Sequence, residues 1–277
     1  MRLHTKPGSA LVIATLVAML LATAATGLLM QAQSARAASG EAVRFTRARL
    51  EAQALLAEAL VRLDTGDPMP SRGAVLATSS GGKVLRQDAA GLVDINAASP
   101  EHLASLLVAL HIDPDQAVEL ADRVADWRDS DDLKRLHGAE AQDYIAAHLP
   151  PPRNAPFVTE SELRAVLGFT PALVDCVAPY LTTYSGADDL DPGAAPDFLR
   201  AQFGLGAGAQ NVGGQFGRVI ILSSEAPLSS HAFVRIRAWV RLTGDARRPF
   251  VIHRAAQDLV PADGDRAPTQ CEAAPNA

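Results

Sequence analysis

The residues best placed to hold a ligand are acidic. Asp126-Trp127-Arg128-Asp129-Ser130-Asp131-Asp132, with Glu140 close behind, offers carboxylate oxygens suited to Ca2+, a hard cation that takes roughly six to eight oxygen ligands. The loop is not an EF-hand, because Leu133 follows the acids and no glycine makes the central turn. A plainer reading of the same residues is a solvated acidic helix end in which Asp126 or Asp129 pairs with Arg128. A second acidic group, Asp188, Asp189 and Asp191, reads as a polar linker. The glycine-rich run from Gly204 to Gly217 has no following Lys-Ser or Lys-Thr and no βαβ setting, so it reads as a flexible connection and not as a phosphate loop. There is no nucleophile elbow and no metalloprotease histidine pair, and the 7 histidines are scattered. His102 and His111 read as residues finishing helix surfaces. The chain is therefore expected not to be an enzyme.

The elements that carry these residues begin with an apolar run. Ser9 to Met30 contains no charged residue, and as a helix it reaches about 33 Å, enough for a hydrocarbon core of about 30 Å. Arg2 and Lys6 precede it and the next charge is Arg36, so the positive-inside tendency keeps the leader cytoplasmic. A single pass through the inner membrane with the remainder in the periplasm follows as the expected location. A cleaved secretory signal competes, with small residues for cleavage at Ala35 to Ser39. Its apolar core would be about 7 to 15 residues, shorter than this run. The junction Lys6-Pro7-Gly8-Ser9 resembles the prepilin cleavage site of type IV pilins and secretion pseudopilins. There a leader ending in glycine is removed and the helix is kept, which makes Gly8 and Ser9 the processing residues.

Beyond the apolar run, Phe45, Ala48, Ala52, Leu55, Ala59, Leu60 and Leu63 recur at helical spacing, and Thr65-Gly66-Asp67-Pro68 supplies a stop. A helix from Ser9 to about Leu63 would be on the order of 80 Å long. Ala74 to Ala77 and Lys83 to Leu85, split by Ser79-Ser80-Gly81-Gly82, suggest a hairpin, and Gly91 to Ile95 a further strand. The pattern then turns helical. Ser99 caps a helix opened by Pro100 and carrying Leu103, Leu106, Leu107 and Leu110; after His111 to Pro114 a second helix carries Ala117, Val118, Ala121, Val124 and Trp127. A weaker copy follows, with Thr159 and Glu162 as a capping box and Ala172 to Leu181 as its second helix. Such helix-hairpin-helix units often hold a phosphate at a helix N-terminus through a glycine turn. The turn here has no glycine and carries Asp113 and Asp115, and the formal net charge is -6, so nucleic acid is not expected as a partner. Strands return as Arg218 to Leu222, Ala232 to Leu242 and Pro249 to His253. In the middle one Val234, Ile236, Ala238, Val240 and Leu242 form a face suited to the long helix, while Arg235, Arg237 and Arg241 read as a solvated face. Cys176 and Cys271 could form a disulfide in an oxidising periplasm or remain separate thiols.

The ordered set of blocks resembles the family of general secretion pathway protein K, the large minor pseudopilins of type II secretion. It comprises the leader, the stem, Leu120 to Asp131, Gly138-Ala139-Glu140 with Tyr144, Asn154-Ala155-Pro156-Phe157 and Pro179-Tyr180-Leu181-Thr182. The resemblance implies an α+β fold: a pilin-like N-terminal long helix packed on an antiparallel sheet, with an inserted α-helical (helix-hairpin-helix/SAM-like) domain. The expected divisions are a leader over 1–8, a membrane part of the stem over 9–30, a periplasmic part over 31–65, first strands over 66–95, the insert over 96–185, later strands over 186–261 and a loose tail over 262–277. It also implies calcium binding, with Asp126, Asp129, Asp131, Asp132 and Glu140 as the ligands. The implied partners are a prepilin peptidase that cleaves after Gly8 and leaves a methylated Ser9, other minor pseudopilins and the major pseudopilin, with secreted substrate or the outer-membrane channel as further contacts. Many pilins and pseudopilins carry a glutamate five residues after the cleavage site. Here that position is Ile13, which implies a subunit at the tip. The discriminable alternative is a membrane-anchored helix-hairpin-helix binding module, either a competence-type DNA receptor or a protein-binding one.

Overall fold

Helix α1, Pro7–Asp64, is long because its sequence is rich in alanine and leucine and contains no proline after the first turn. A computed structural model of the chain describes residues 7–65, 72–206, 216–261 and 270–271. They fall into two compact units, Met1–Ala48 and Arg49–Ala277. In the first, Leu11, Ile13, Leu20 and Met30 are all exposed, on a helix long and apolar enough to cross a membrane. In the second, Leu55, Ala59 and Leu63 lie on one face of α1 and pack on Val84, Ile220, Leu222 and Leu242 of a sheet. The helix ends at Asp64, with Arg62 in its last turn held by Glu58. The rest of the expected stop, Gly66 to Pro68, lies outside the described residues, as do the first six residues of the leader.

The sheet has the order β1-β2-β5-β6-β7, built from Arg72–Ala77, Lys83–Asp88, Val219–Ser229, Ala232–Asp245 and Arg248–Pro261. Every neighbouring pair is antiparallel. Two strands precede the helical part and three follow it, so the helices are an insertion. The face of β6 with Val234, Ile236, Ala238, Val240 and Leu242 is buried as its alternation predicts.

The opposite face departs from expectation. Arg241 is exposed, but Arg235 binds the buried Glu225, which also meets Lys83, and Arg237 pairs with Asp258 at 2.7 Å. Trp239, on the same face, is buried with Ala89, Val219 and Tyr184. The guanidinium of Arg254 stacks 4.3 Å from its ring centroid and donates at 2.8 Å to Glu160, a buried residue of the helical part. The solvated face is thus partly an internal contact, because the insert folds back onto it.

The insert is closed at its two ends by a short parallel pair, β3 (Val93–Asp94) and β4 (Leu181–Thr182). The expected strand from Gly91 is shorter, because the carboxylate of Asp88 caps a 3-10 turn over Ala89–Gly91. A side chain at Gly91 would lie 2.2 Å from the Ala194 carbonyl, so only glycine fits there. Helices α2 (Pro100–Ala109) and α3 (Pro114–Arg128) make the first hairpin; α4 is Ala141–Ala146. In the second copy the Thr159/Glu162 capping box forms as read, but it opens a 3-10 helix, Glu160–Ala165, before α5 (Pro171–Val177). Both copies share one core with Leu103, Leu106, Leu120, Val124, Leu163 and Leu173. Leu190, Ala195 and Leu199 belong to it too, the last on α6 (Asp197–Gln202), so residues 186–205, expected with the later strands, form no strand and share the helical core.

The cysteines are joined. Cys176 and Cys271 form a disulfide, and the Cys271 N–H donates to the Leu110 carbonyl at 2.8 Å. The tail is tied to the helical core at this point. The rest of the segment read as loose, 262–269 and 272–277, lies outside the described residues, as do 207–215 of the glycine-rich run.

Candidate functional site

The acidic group sits at the C-terminal end of α3 and on the loop leading to α4. Asp126 is fully buried; its Oδ1 accepts from Arg135 Nη1 at 2.6 Å and its Oδ2 from the Arg135 N–H at 3.2 Å. The same guanidinium nitrogen reaches Asp129 Oδ2 at 2.5 Å. Arg128, the partner suggested by sequence, points elsewhere and donates to the carbonyls of Ile95 and Ala98, fastening α3 to the entry of α2. A Cβ at Gly138 would come within 1.8 Å of Asp126 Oδ2, so the loop closes over the carboxylate only because that residue is glycine. Asp131 Oδ1 accepts from the Leu133 N–H, and Asp132 Oδ1 from Asn154 Nδ2 at 3.0 Å.

Glu140 is 8% exposed; its side chain faces the Asp143 N–H in a capping box at the start of α4, but neither carboxylate oxygen comes close enough to a donor of the chain for a full hydrogen bond. Asp129 Oδ1 is likewise buried and unmatched. Burial, reinforced by the charges of Asp126, Asp129, Asp132 and Asp131, pushes the Glu140 carboxyl up to about 7. Burial also raises Asp126, against the pull of Arg135, while hydrogen bonding to Asp129 first and Asp126 next holds the Arg135 proton more tightly. As they stand, no three Asp, Glu, His or Cys side chains among the described residues converge as a metal-binding set. Arg135 occupies the space between Asp126 and Asp129 instead. The site combines one internal cation with a buried carboxyl that lacks a partner, a charge deficit that either a proton or a divalent cation would correct.

The other sequence-marked groups do different work. Asp188 accepts from the Ser99 N–H at 2.8 Å and meets His102 Nδ1 at 2.6 Å, while Asp191 pairs with Arg218 at 2.6 Å, so this group ties the chain's return path to α2 and β5. At the hairpin turn, Asp113 Oδ1 accepts from the N–H groups of Asp115 and Gln116. Those donors would face a phosphate in a nucleic-acid-binding hairpin, and here a carboxylate of the same chain consumes them. His111 holds φ 68, the left-handed position that favours glycine. Gly8 and Ser9 lie in the first turn of α1. Sequence reasoning missed Arg135 as the cluster's cation. It also missed Asn96, whose amide exchanges two hydrogen bonds with the backbone of Phe157, at 2.9 and 2.7 Å.

A family model described as Type II secretion system (T2SS), protein K, matches residues 80–186, from the β1–β2 turn to just past β4, and so covers the acidic cluster and both hairpins. This segment is similar to protein K of the type II secretion system. One solved structure, a chain of the GspK-GspI-GspJ complex from the Type 2 Secretion System of enterotoxigenic Escherichia coli, is similar over 82% of this chain and 99% of its own, with TM-score 0.50 and 14% identity. That likeness speaks for the fold, an α+β arrangement of long helix, antiparallel sheet and helical segments. No curated protein sequence matches the chain significantly. The matched segment contains β2 and the inserted part as far as the β3–β4 pair, and it stops before α6.

Proposed function

We propose that this chain is a minor pseudopilin that sits at the tip of the type II secretion pseudopilus, assembles there with other minor pseudopilins and the major one, and so supports export across the outer membrane. One observation supports the reading: a segment similar to protein K includes β2 and the helices inserted after it, in a sheet that packs on α1, a helix long and apolar enough over its first part to cross a membrane. In this reading the apolar unit lies in the inner membrane before assembly, the head is periplasmic, and a prepilin peptidase cuts between Gly8 and Ser9. Ile13 leaves the segment without an acid to meet a neighbour's amine, which suits a subunit that begins or ends a filament. Secreted substrate or the outer-membrane channel would meet the head. Mass spectrometry of the native N-terminus tests the assignment: it should begin at methylated Ser9, and a start at Met1 or near Ala38 would defeat it.

Calcium belongs to the same proposal. Glu140, Asp129 and Asp126, with Asp131 and Asp132 alongside, are the residues that would hold it, and the unmatched buried oxygens of Glu140 and Asp129 support the fit. Bound there, the cation supplies charge neutralisation and cross-links the end of α3 to the loop before α4. Arg135 has to leave at least one of its two carboxylates for this. Millimolar calcium should raise the melting temperature of the protein in detergent, and an unchanged value would remove calcium from the reading.

A further inference from the structure

Leu133 and Leu136 stand out of the loop between α3 and α4 with 77% and 86% of their surface exposed, more than Leu11 (71%) or Met30 (72%) on the apolar unit of α1. This loop is held on every side. Arg135 is clamped by Asp126 and Asp129, Lys134 Nζ binds Asp143 at 2.8 Å, the His137 N–H donates to Asp122, and Asn154 binds both Asp132 and the Asp131 carbonyl. Gly138 seals the fold of the loop against Asp126. Polar contacts fix the backbone on both sides of each leucine, and no core residue covers either one. A loop with freedom to collapse would bury them; this one displays them.

The charges around them identify the partner. Lys134 and Arg135 stay partly exposed but are each neutralised by carboxylates of the same chain, whereas the exposed Asp131 and Asp132 meet only uncharged donors. The surface around the two leucines therefore carries a net acidic border. We infer that residues 131–137 form a docking prong that inserts Leu133 and Leu136 into an apolar depression rimmed by lysine or arginine on the head of another minor pseudopilin. The inference rests on the tip-complex reading, and it adds which surface of the head makes the contact. Apolar anchors would supply the affinity, and the acidic border the orientation and choice of partner.

The test uses the full chain in membranes of cells that make its secretion system. A photoreactive residue is placed at Leu136 and, in a separate protein, at Leu21 on the apolar unit. Cross-links from position 136 to a minor pseudopilin, at peptides containing lysine or arginine, with yield falling as salt rises, would support the prong. Cross-links from position 21 to pseudopilins without any from 136 would overturn the prong and leave the assembly reading standing; absence of both would overturn both. Cross-links from 136 only to a second copy of this chain, or to a protein that is not a pseudopilin, would also overturn it. In the second arm, Leu133→Ser with Leu136→Ser should weaken recovery of the partner by about 10- to 100-fold, since two buried leucines are lost. Its melting temperature should match the parent, because these side chains contribute little to the fold. Recovery equal to the parent at an unchanged melting temperature would refute the prong.

Discussion

Replacing Glu140 by glutamine should make the protein more stable at pH 8 and leave it unchanged near pH 4. The carboxyl has its folded-state pKa raised from 4.5 to about 7, by burial first and by the surrounding aspartates next. The folded state therefore binds this proton more tightly than the unfolded chain does. Its contribution to stability is fully present below about pH 4.5 and is lost as the pH rises through about 7. At about 1.36 kcal/mol per pH unit, the ionised side chain costs the fold at most about 3 kcal/mol at pH 8, and local relaxation brings the expected figure to about 1 to 3 kcal/mol. For a domain of this size that is about 2 to 12 °C in melting temperature. In a Trp239→Phe background Trp127 reports on the region without a label, since it is buried between Tyr144 and Phe157 at centroid distances of 5.5 and 6.2 Å. Melting followed by tryptophan fluorescence in chelator at pH 5, 6, 7 and 8 should show the parent losing stability across the series and Glu140→Gln losing less. Calcium should restore the parent at pH 8, with the cation taking the place of the proton, and should do little for the variant. A parent with no loss across the series, or a variant that falls as steeply, would refute the account of the buried carboxyl.

Gly138→Ala places a methyl group 1.8 Å from a fully buried carboxylate oxygen, so the Asp126–Arg135 contact has to open; a loss of about 3 kcal/mol or more in urea denaturation is expected, and a loss below about 1 would mean that the loop yields freely. Changing Cys176 and Cys271 together to serine removes a link between residues 95 apart and should cost about 2 to 4 kcal/mol, with the parent in reductant showing the same midpoint as the variant. At the α2–α3 turn, His111→Gly should be neutral or stabilising by up to about 1 kcal/mol, whereas His111→Val should cost about 1 to 2 kcal/mol, because the φ of 68 suits glycine and strains a β-branched residue; equal midpoints for the two variants would contradict that backbone assignment.

Features that were legible in the sequence are those in which one residue speaks for its neighbours. Ser99 caps α2, Thr159 and Glu162 close a box, the alternation of β6 marks its buried face, and a run free of charge marks the exposed unit of α1. Each follows from a period or a spacing of a few positions. The cluster was legible as a group of acids and illegible as a site. Arg128, adjacent to Asp129, was the natural counter-ion, but the turn of α3 aims it at the carbonyls of Ile95 and Ala98. Arg135 reaches Asp126 only because the chain reverses after Asp132, and no local pattern encodes that reversal. The same limit applies to Trp239: strand alternation puts it beside Arg237, but it is covered by Tyr184, from a distant part of the sequence, and by Arg254, which Glu160 holds.

The register of the sheet explains how one chain can serve two kinds of contact. Lys83 to Asp88 pair with Ile220 to Glu225 as an uninterrupted antiparallel ladder, although the insertion separates the two strands in sequence. At the insert's own boundary, Val93–Leu181 and Asp94–Thr182 form a separate parallel pair, so its entry and exit are held side by side whatever lies between them. Changes within the helical part therefore need not disturb the packing of Leu55, Ala59 and Leu63 on β2 and β5. Rigid coupling between the two parts comes instead from a small number of long-range contacts: Glu160 on Arg254, Gln87 on the Ala194 carbonyl, and Asp191 on Arg218. In the proposed pseudopilin, a helix-and-sheet part packed into a filament would in this way carry a head whose exposed loops are free to match a particular partner. The polar clamp around Leu133 and Leu136 is where such matching would be expected to reside.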